Sequence, residues 1–460
     1  MRNEKRMDIV NGPMIPNIIR YIIPLIASGF LQLLYNAADN VVVGRFDGPV
    51  ALAAVGSTGA LINLILNICL GLSVGASVAV SQDYGAKDTK GVHRVIHTSV
   101  LISIIGGFIV GIVGFFFSRQ FLIWMGTPAD VLPLATLYLR IYFLGSPASM
   151  IYNFCASILR AVGETKRPMI YLTVSGIINV VLNLIFVLVF HMSVAGVALA
   201  TIISQYVSMV MIVVYLVRLQ DCCRLEVQKL KIYKDKLFRI VRVGLPAGIQ
   251  GTVFSLSNVV IQSAVNSFDD AIVMAGSTAA SQIENFIYIA MNSVYHAALT
   301  FTGQNVGAGK IRKVNRVLIS CAAIVTVIGI VVGFTTILFA DPLLSIYIKD
   351  EPAALAYGFE RMKVVAVTYF LCGLMEVLVG CQRGMGASLT PMVVSMLGAC
   401  GLRILWILTI FTASPSLTSL YMSYPVSWFI TSMTHLFFYT LRYRKTCRLY
   451  EKSIATDTEN

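Results

Sequence analysis

The sequence predicts an all-α polytopic membrane protein with twelve transmembrane helices in two pseudo-symmetric six-helix lobes. Of its 460 residues, 57% are hydrophobic and only 12% are charged, whereas a soluble protein carries about 25% charged residues. The apolar residues form stretches of about 20 or more, long enough to cross a bilayer core. Short motifs also recur after 222 residues. This composition and length exclude a disordered chain and a small disulfide-stabilised scaffold.

Twelve apolar stretches divide into two sets of six. The first set lies near 15–43, 51–80, 95–118, 131–159, 169–190 and 194–217, and the second near 243–267, 272–303, 314–340, 353–381, 391–412 and 417–441. We therefore expect an N-terminal lobe over 1–217, a basic cytoplasmic linker over 218–242, and a C-terminal lobe with a cytoplasmic tail over 243–460.

The basic residues predict the orientation of these spans. If the N-terminus is cytoplasmic, 28 of the 35 Lys and Arg residues fall on the cytoplasmic side, eight of them in the linker. Cytoplasmic loops are enriched in basic residues. We expect a multi-pass protein of the plasma (inner) membrane with both termini cytoplasmic and the lipid bilayer as its partner. The net charge of +13 is spread over short loops, which does not indicate a nucleic-acid partner.

Matched residues relate the two halves. The segment Ser81 to Ala86 recurs as Gly303 to Ala308, and Pro24 recurs as Pro246, both 222 residues later. Each half has an even number of spans, so the halves are related by an axis along the membrane normal, as in many transporters. A proline inside a helix removes one hydrogen bond. We therefore predict hinges at Pro24 and Pro246.

Motifs for bond-making catalysis are missing from the sequence. The glycines between Gly303 and Lys310 lack the spacing of a phosphate-binding loop, and there is no metalloprotease or nucleophile-elbow motif. The nine cysteines show no C-x-x-C pair and are expected to be free thiols. We predict a protein that is not an enzyme, has no cofactor, and draws on an ion gradient.

Asp39 is the strongest candidate for the residue that couples transport to that ion gradient. It follows Gln32 and Asn36 on one face of the first span. Ionisable groups inside spans are costly and are functional candidates. Desolvation favours the protonated acid, so Asp39 is suited to proton exchange, and with neighbouring amide oxygens it is equally suited to hold Na⁺.

Two asparagines lie on the fifth span, with a threonine on the sixth. Asn179 and Asn183 share a helix face at a spacing of four residues, and Thr201 follows. Buried polar side chains of this kind often only hold helices together. From the residues alone, a structural and a functional role are equally open.

The second half carries its own polar residues. On the tenth span Glu376 stands in an apolar run. Arg140 and Arg403 either pair with the acidic residues or snorkel towards an interface. For Arg140 we favour snorkelling. The eighth span carries a polar and aromatic stripe that predicts a wet surface, formed by Glu284, Asn285, Tyr288, Asn292, Tyr295 and His296.

Several of these motifs resemble the multidrug and toxic compound extrusion (MATE) transporters, and most closely the bacterial DinF and MepA-like branch. The resemblance covers nearly the whole chain. It rests on Pro24 with Leu33 to Asp39, Val43 to Phe46, Ala53 to Gly56, Ser81 to Ala86, Leu159 to Pro168 and Gln304 to Gly309.

The resemblance implies two six-helix lobes around a central cavity and the exchange of H⁺ or Na⁺ for amphipathic, often cationic, compounds. It implies a cation site in the N-terminal lobe formed by Asp39, Asn179, Asn183 and Thr201, to which we add Asn36 from the stripe on the first span. Some relatives carry an aspartate where this chain has Asn183, so the choice between H⁺ and Na⁺ stays open.

We further expect a substrate cavity and a monomeric carrier. Aromatic side chains would stack on the substrate and bind its positive charge, and acidic side chains would attract it. The expected cavity residues are Tyr35, Tyr152, Phe154, Glu284, Tyr288, Asn292, Tyr295 and Glu376. The alternatives are a lipid-linked saccharide flippase of the same superfamily, a membrane-embedded enzyme using His296 near Glu284, and a passive channel.

Overall fold

A computed structural model describes residues 7–268, 270–348 and 351–459 of the chain. Four basic residues that entered the predicted topology, Arg2, Lys5, Arg6 and Lys349, lie outside this part. The described residues form helices and contain no β-strand. The predicted all-α fold is therefore confirmed.

Fifteen α-helices follow one another along the described chain. They are α1 (Met14–Phe46), α2 (Gly48–Gly85), α3 (Thr89–Trp124), α4 (Leu132–Leu144), α5 (Ser146–Ala161), α6 (Lys166–Leu184), α7 (Ser193–Arg218), α8 (Lys234–Asn266), α9 (Ala271–Gly307), α10 (Ile311–Leu338), α11 (Ala340–Ser345), α12 (Pro352–Gly384), α13 (Leu389–Ser395), α14 (Leu402–Trp406) and α15 (Leu417–Glu459).

Nine helical segments in this part of the chain are long and apolar enough to cross a membrane. Of the other three predicted spans, 272–303 and 417–441 lie in the long helices α9 and α15. The span predicted at 131–159 is divided at Gly145 into α4 and α5. Pro147 explains the division, because it cannot donate the backbone hydrogen bond that would continue α4.

Short π-helical turns repeat between the two halves. The turn Ile185–Val189 extends α6, and the turn Ile407–Phe411, 222 residues later, follows α14. A further π-helical turn, Met396–Gly401, lies between α13 and α14. Such turns shift the register of the side chains that follow and are frequent at functional sites. The repeat seen in the sequence is thus also present in the backbone.

The chain forms two compact units. Unit 1 comprises Met7, Ile23–Tyr84 and Asp88–Gly248, and unit 2 comprises the described residues of Asp8–Ile22, Gly85–Lys87 and Ile249–Asn460. The chain therefore passes from one unit to the other inside α1, between Ile22 and Ile23, and inside α8, between Gly248 and Ile249. Pro24 and Pro246 lie within two residues of these points.

Close backbone contacts hold α2 against the first part of α8 in unit 1. A Cβ atom on Gly71 would lie 2.1 Å from the Gly248 nitrogen, and one on Gly75 would lie 2.1 Å from the Ile240 carbonyl oxygen. The facing residue Gly244 has the same four-residue spacing from Gly248. Small residues at this spacing let membrane helices approach closely.

We expect Gly75→Ala to destabilise unit 1 by about 1–3 kcal/mol, since the added methyl group would meet backbone atoms of α8. Thermal unfolding of the purified protein in detergent measures the effect. Gly56→Ala is the matched control on the same helix, because a Cβ atom there has nothing within 4 Å and alanine is the better helix former. Equal melting temperatures for the two variants would contradict this account of the packing.

Candidate functional site

A chain of polar side chains joins three helices of unit 1. On α6, the Asn183 side-chain nitrogen donates to the Asp39 carboxylate of α1 and lies 3.4 Å from the Asn179 side-chain oxygen. The Asn179 side-chain nitrogen in turn lies 3.5 Å from the Thr201 hydroxyl of α7. The Thr201 hydroxyl donates to the Val197 carbonyl oxygen at 2.9 Å. The structure thus brings together Asp39, Asn179, Asn183 and Thr201.

One side-chain oxygen in this group of polar residues has no hydrogen-bond partner among the described residues. The side-chain oxygen of Asn183 is buried and accepts no hydrogen bond from the described residues. Buried polar groups normally have a partner, so an unpaired oxygen beside a carboxylate marks a place that suits a cation. The π-helical turn Ile185–Val189 begins two residues after Asn183. Asp39, Asn179, Asn183 and Thr201 are therefore the residues available here to hold a proton or Na⁺.

The neighbours of Asp39 differ partly from those expected. Asn36 is exposed and is not part of the polar chain. The Tyr35 hydroxyl donates to the Thr173 carbonyl oxygen at 3.3 Å, and its ring lies against Gly176. Tyr138 of α4 lies within electrostatic reach of Asp39. Sequence reasoning could not single out Tyr138, because it is one aromatic residue in an apolar helix.

A buried ion pair lies in unit 2. The Arg361 guanidinium of α12 makes two hydrogen bonds to the Glu284 carboxylate of α9, at 2.9 and 2.8 Å, and a third to the Ser277 hydroxyl at 3.0 Å. Glu284 and Arg361 are both about 5% exposed. Arg361 therefore lies within α12 and is buried in the helix packing, and it is not exposed in a loop.

A second arginine of α12 lies near Glu376. Arg383 donates to the Tyr295 hydroxyl at 2.7 Å and to the Gln250 side-chain oxygen at 2.9 Å, and it lies within electrostatic reach of Glu376. The acidic residues therefore have Arg361 and Arg383 as their basic neighbours.

The predicted partners Arg140 and Arg403 lie elsewhere. Arg403 donates to the Ser427 hydroxyl at 2.9 Å and lies over the Tyr424 and Trp428 rings. Arg140 is exposed and lies 5.8 Å from the Phe115 ring centroid. Of the two alternatives, pairing with a glutamate is not found for either arginine among the described residues, and the exposure of Arg140 fits snorkelling.

The expected cavity residues lie in different surroundings. Tyr288 is 41% exposed, whereas Tyr295 is buried, and Asn292 is half-buried. The Tyr152 hydroxyl donates to the Pro168 carbonyl oxygen at 2.9 Å. Phe154 is fully buried in the apolar core of unit 1. The expectation that Phe154 lines a cavity is therefore corrected, because its whole surface is used in packing.

A two-fold repeat of membrane-spanning helices, with buried polar groups in each compact unit, defines a multi-pass membrane transporter. The protein-family model described as MatE matches residues 24–185 and 246–409, two segments that begin 222 residues apart. The chain belongs to the MatE family.

Similar proteins and structures agree with this assignment. The probable multidrug resistance protein YpnP of Bacillus subtilis (strain 168) is 27% identical over 399 residues, covering 87% of this chain and 89% of the relative. The multidrug export protein MepA of Staphylococcus saprophyticus is 21% identical, covering 84% and 85%. An outward-facing structure of a multidrug resistance MATE family transporter matches with a TM-score of 0.90 and 22% identity, covering 97% of this chain and all of that chain.

Breaking the Glu284–Arg361 pair should destabilise unit 2. We expect Glu284→Gln to cost about 3–5 kcal/mol, because it leaves the buried Arg361 guanidinium without a counter-charge. Adding Arg361→Met should recover part of the loss. Chemical unfolding of the purified variants measures these free energies, and Lys363→Met, at an exposed position of the same helix, is the control. A double variant that loses the sum of both single losses would argue against coupling of the pair.

Proposed function

We propose that this protein is a cation-coupled antiporter that exports amphipathic, often cationic, compounds by alternating access. The observation that carries the proposal is the polar chain at Asp39, with the unpaired side-chain oxygen of Asn183 beside it. The relatives named for multidrug resistance and export support the substrate class. In this proposal the exported compounds are the substrates, and the inward movement of H⁺ or Na⁺ drives their export.

The proposed coupling follows from the position of Asp39. An unneutralised carboxylate within a membrane span is costly, so its charge favours a conformation in which a cation or water reaches it. Proton binding removes that charge. Na⁺ binding would balance it, with Asn183 and Thr201 as further oxygen ligands. A ligand shifts two conformations only by its difference in affinity between them, so cation binding at Asp39 must be stronger in one of the two.

The prolines supply the proposed flexible points. Pro24 and Pro246 lie within continuous helices, where each removes one backbone hydrogen bond. The Ser28 hydroxyl donates to the Pro24 carbonyl oxygen at 2.7 Å, and a serine bonded in this way to the carbonyl four residues earlier often bends a helix. Because α1 and α8 each pass from one compact unit to the other near their proline, a bend there changes the direction of a helix that belongs to both units.

Unit 2 supplies candidate substrate contacts. Tyr288 has the exposed ring that a stacking or cation–π contact requires, and Glu376 lies within electrostatic reach of Tyr288. Asn292, half-buried and on the same helix as Tyr288, offers a hydrogen-bonding group. Glu284 is committed to Arg361, so we assign it a structural role and place Glu376 first among the acidic substrate contacts.

We also propose cytoplasmic termini and a monomeric carrier. Both termini are placed in the cytoplasm on the distribution of basic residues. A monomer suffices, since one chain contains both repeats.

We expect Asp39→Asn to abolish coupling while leaving the protein folded. Asparagine keeps the size of the side chain and its hydrogen bonding to Asn183 but has no charge to neutralise. Export of ethidium from proteoliposomes under an imposed H⁺ or Na⁺ gradient should fall about tenfold or more, because the cation loses its differential affinity. Ethidium binding without a gradient should persist.

The matched control is Asp47→Asn, which removes a carboxylate just beyond the end of α1 that is not part of the polar chain. This variant should export at the wild-type rate. Wild-type, gradient-driven export by Asp39→Asn would show that the coupling site lies elsewhere.

A further inference from the structure

A cavity of about 300 Å³ lies in unit 1, at the start of α3. It is separate from the polar chain at Asp39 and from the residues proposed to contact substrate. The segment between α7 and α8 forms its other wall. The cavity is lined by Thr89, Lys90, His93, Arg94, Cys222 and Tyr233.

Hydrogen bonds fix the walls of this cavity. The Tyr233 backbone N–H donates to the buried Thr98 hydroxyl at 3.1 Å. The buried His97 ring contacts the His93 carbonyl oxygen through Nδ1 at 2.7 Å and accepts from the Glu226 backbone N–H through Nε2 at 3.1 Å. The segment between α7 and α8 is thus held against α3, and the cavity has a defined shape.

Positive charge converges on the cavity. The Arg94 guanidinium lies 5.3 Å from the centroid of the Tyr233 ring, and the Lys231 ammonium lies 5.9 Å from the same centroid. Lys90 is exposed at the cavity wall. No carboxylate is among the lining residues. Such a site selects an anion.

The nearby acidic residues have contacts of their own and are not among the lining residues. Asp83 pairs with Lys236 at 2.8 Å, and Glu226 pairs with Lys229 at 2.7 Å. The Asp88 carboxylate accepts from the Gly91 backbone N–H, and the Asp221 carboxylate, within 4.8 Å of the Cys222 sulfur, accepts from the Cys223 backbone N–H, each at 2.8 Å. Within the part of the chain that the structure describes, neither Lys90 nor Arg94 forms an ion pair with a carboxylate.

The position of the cavity indicates which anion it meets. Helix α3 begins at the cavity and continues as a membrane span, so the cavity lies at the level of a membrane face. Basic residues next to a span attract anionic lipids, and phosphate is the anion of their headgroups. We propose that this cavity binds a phosphate group, carried by the headgroup of an anionic phospholipid or present as free phosphate.

The equivalent place in unit 2 offers a useful contrast. A cavity of about 420 Å³ lies at the start of α10. Its Lys310 and Lys313 donate to Asn11 and to the Val10 carbonyl oxygen, and Glu451 is in its wall. Arg312 also lines this cavity, but both lysines are bonded to other groups of the protein and a carboxylate is present, so we assign the phosphate site to unit 1.

Thermal unfolding of the purified full-length protein in detergent tests this site. The probes are dioctanoyl phosphatidylglycerol, dioctanoyl phosphatidylcholine and inorganic phosphate. The test variant is Lys90→Gln/Arg94→Gln. The control is Arg218→Gln/Lys234→Gln, which removes the same charge at exposed positions outside the cavity lining.

We expect phosphatidylglycerol to raise the melting temperature of the wild type and of the control, and phosphatidylcholine to have little effect. Lys90→Gln/Arg94→Gln should need about thirtyfold more phosphatidylglycerol, since each basic residue near an anionic lipid contributes about a fivefold change in affinity. Stabilisation by inorganic phosphate at matched concentration, lost in the same variant, would identify free phosphate as the source. An equal response of both double variants, or no response to either anion, would overturn the proposal.

Discussion

A polar side chain in a membrane span has no water to solvate it, so another part of the protein must do so. This constraint accounts for the position of the charged groups inside the helices of this protein. Glu284 and Arg361 neutralise each other, Arg383 is held by Tyr295 and Gln250, and Arg403 is held by Ser427. Asp39 also has a neutral partner, because Asn183 supplies a hydrogen bond but no charge. A carboxylate left in this condition is the group most suited to bind and release a cation.

The two halves share a backbone but not a site. The π-helical turns at Ile185 and Ile407 are one repeat apart, as are Pro24 and Pro246. Asp39 and Asn183 are not repeated, because Ile261 stands 222 residues after Asp39 and Leu405 stands 222 residues after Asn183. The duplicated helices thus provide a common frame. In unit 1 this frame holds the Asp39 carboxylate, whose hydrogen-bond partner Asn183 is neutral. In unit 2 it holds the buried ion pair of Glu284 and Arg361.

The sequence predicted the class of fold well, because hydrophobic length and basic-residue distribution are direct consequences of the bilayer. It also predicted which residues gather around Asp39, through helix periodicity and the resemblance to known transporters. It did not predict the partner of Glu284, because Arg361 lies near the end of its predicted span. A charged residue at such a position is usually assigned to the adjacent loop. The burial of Phe154 was missed for a related reason: an aromatic residue suits a core as well as a cavity wall. The division at Gly145 depends on Pro147, whose effect on a helix varies with its surroundings.

The most direct test of the account is ethidium export by the wild-type protein in proteoliposomes, with a pH gradient and a Na⁺ gradient imposed separately at zero membrane potential. The account predicts that at least one gradient drives ethidium against its own concentration difference and that dissipating the gradient stops the movement. The gradient that succeeds identifies the ion that binds at Asp39. Ethidium that only equilibrates, at a rate unchanged by either gradient in correctly inserted protein, would contradict cation coupling.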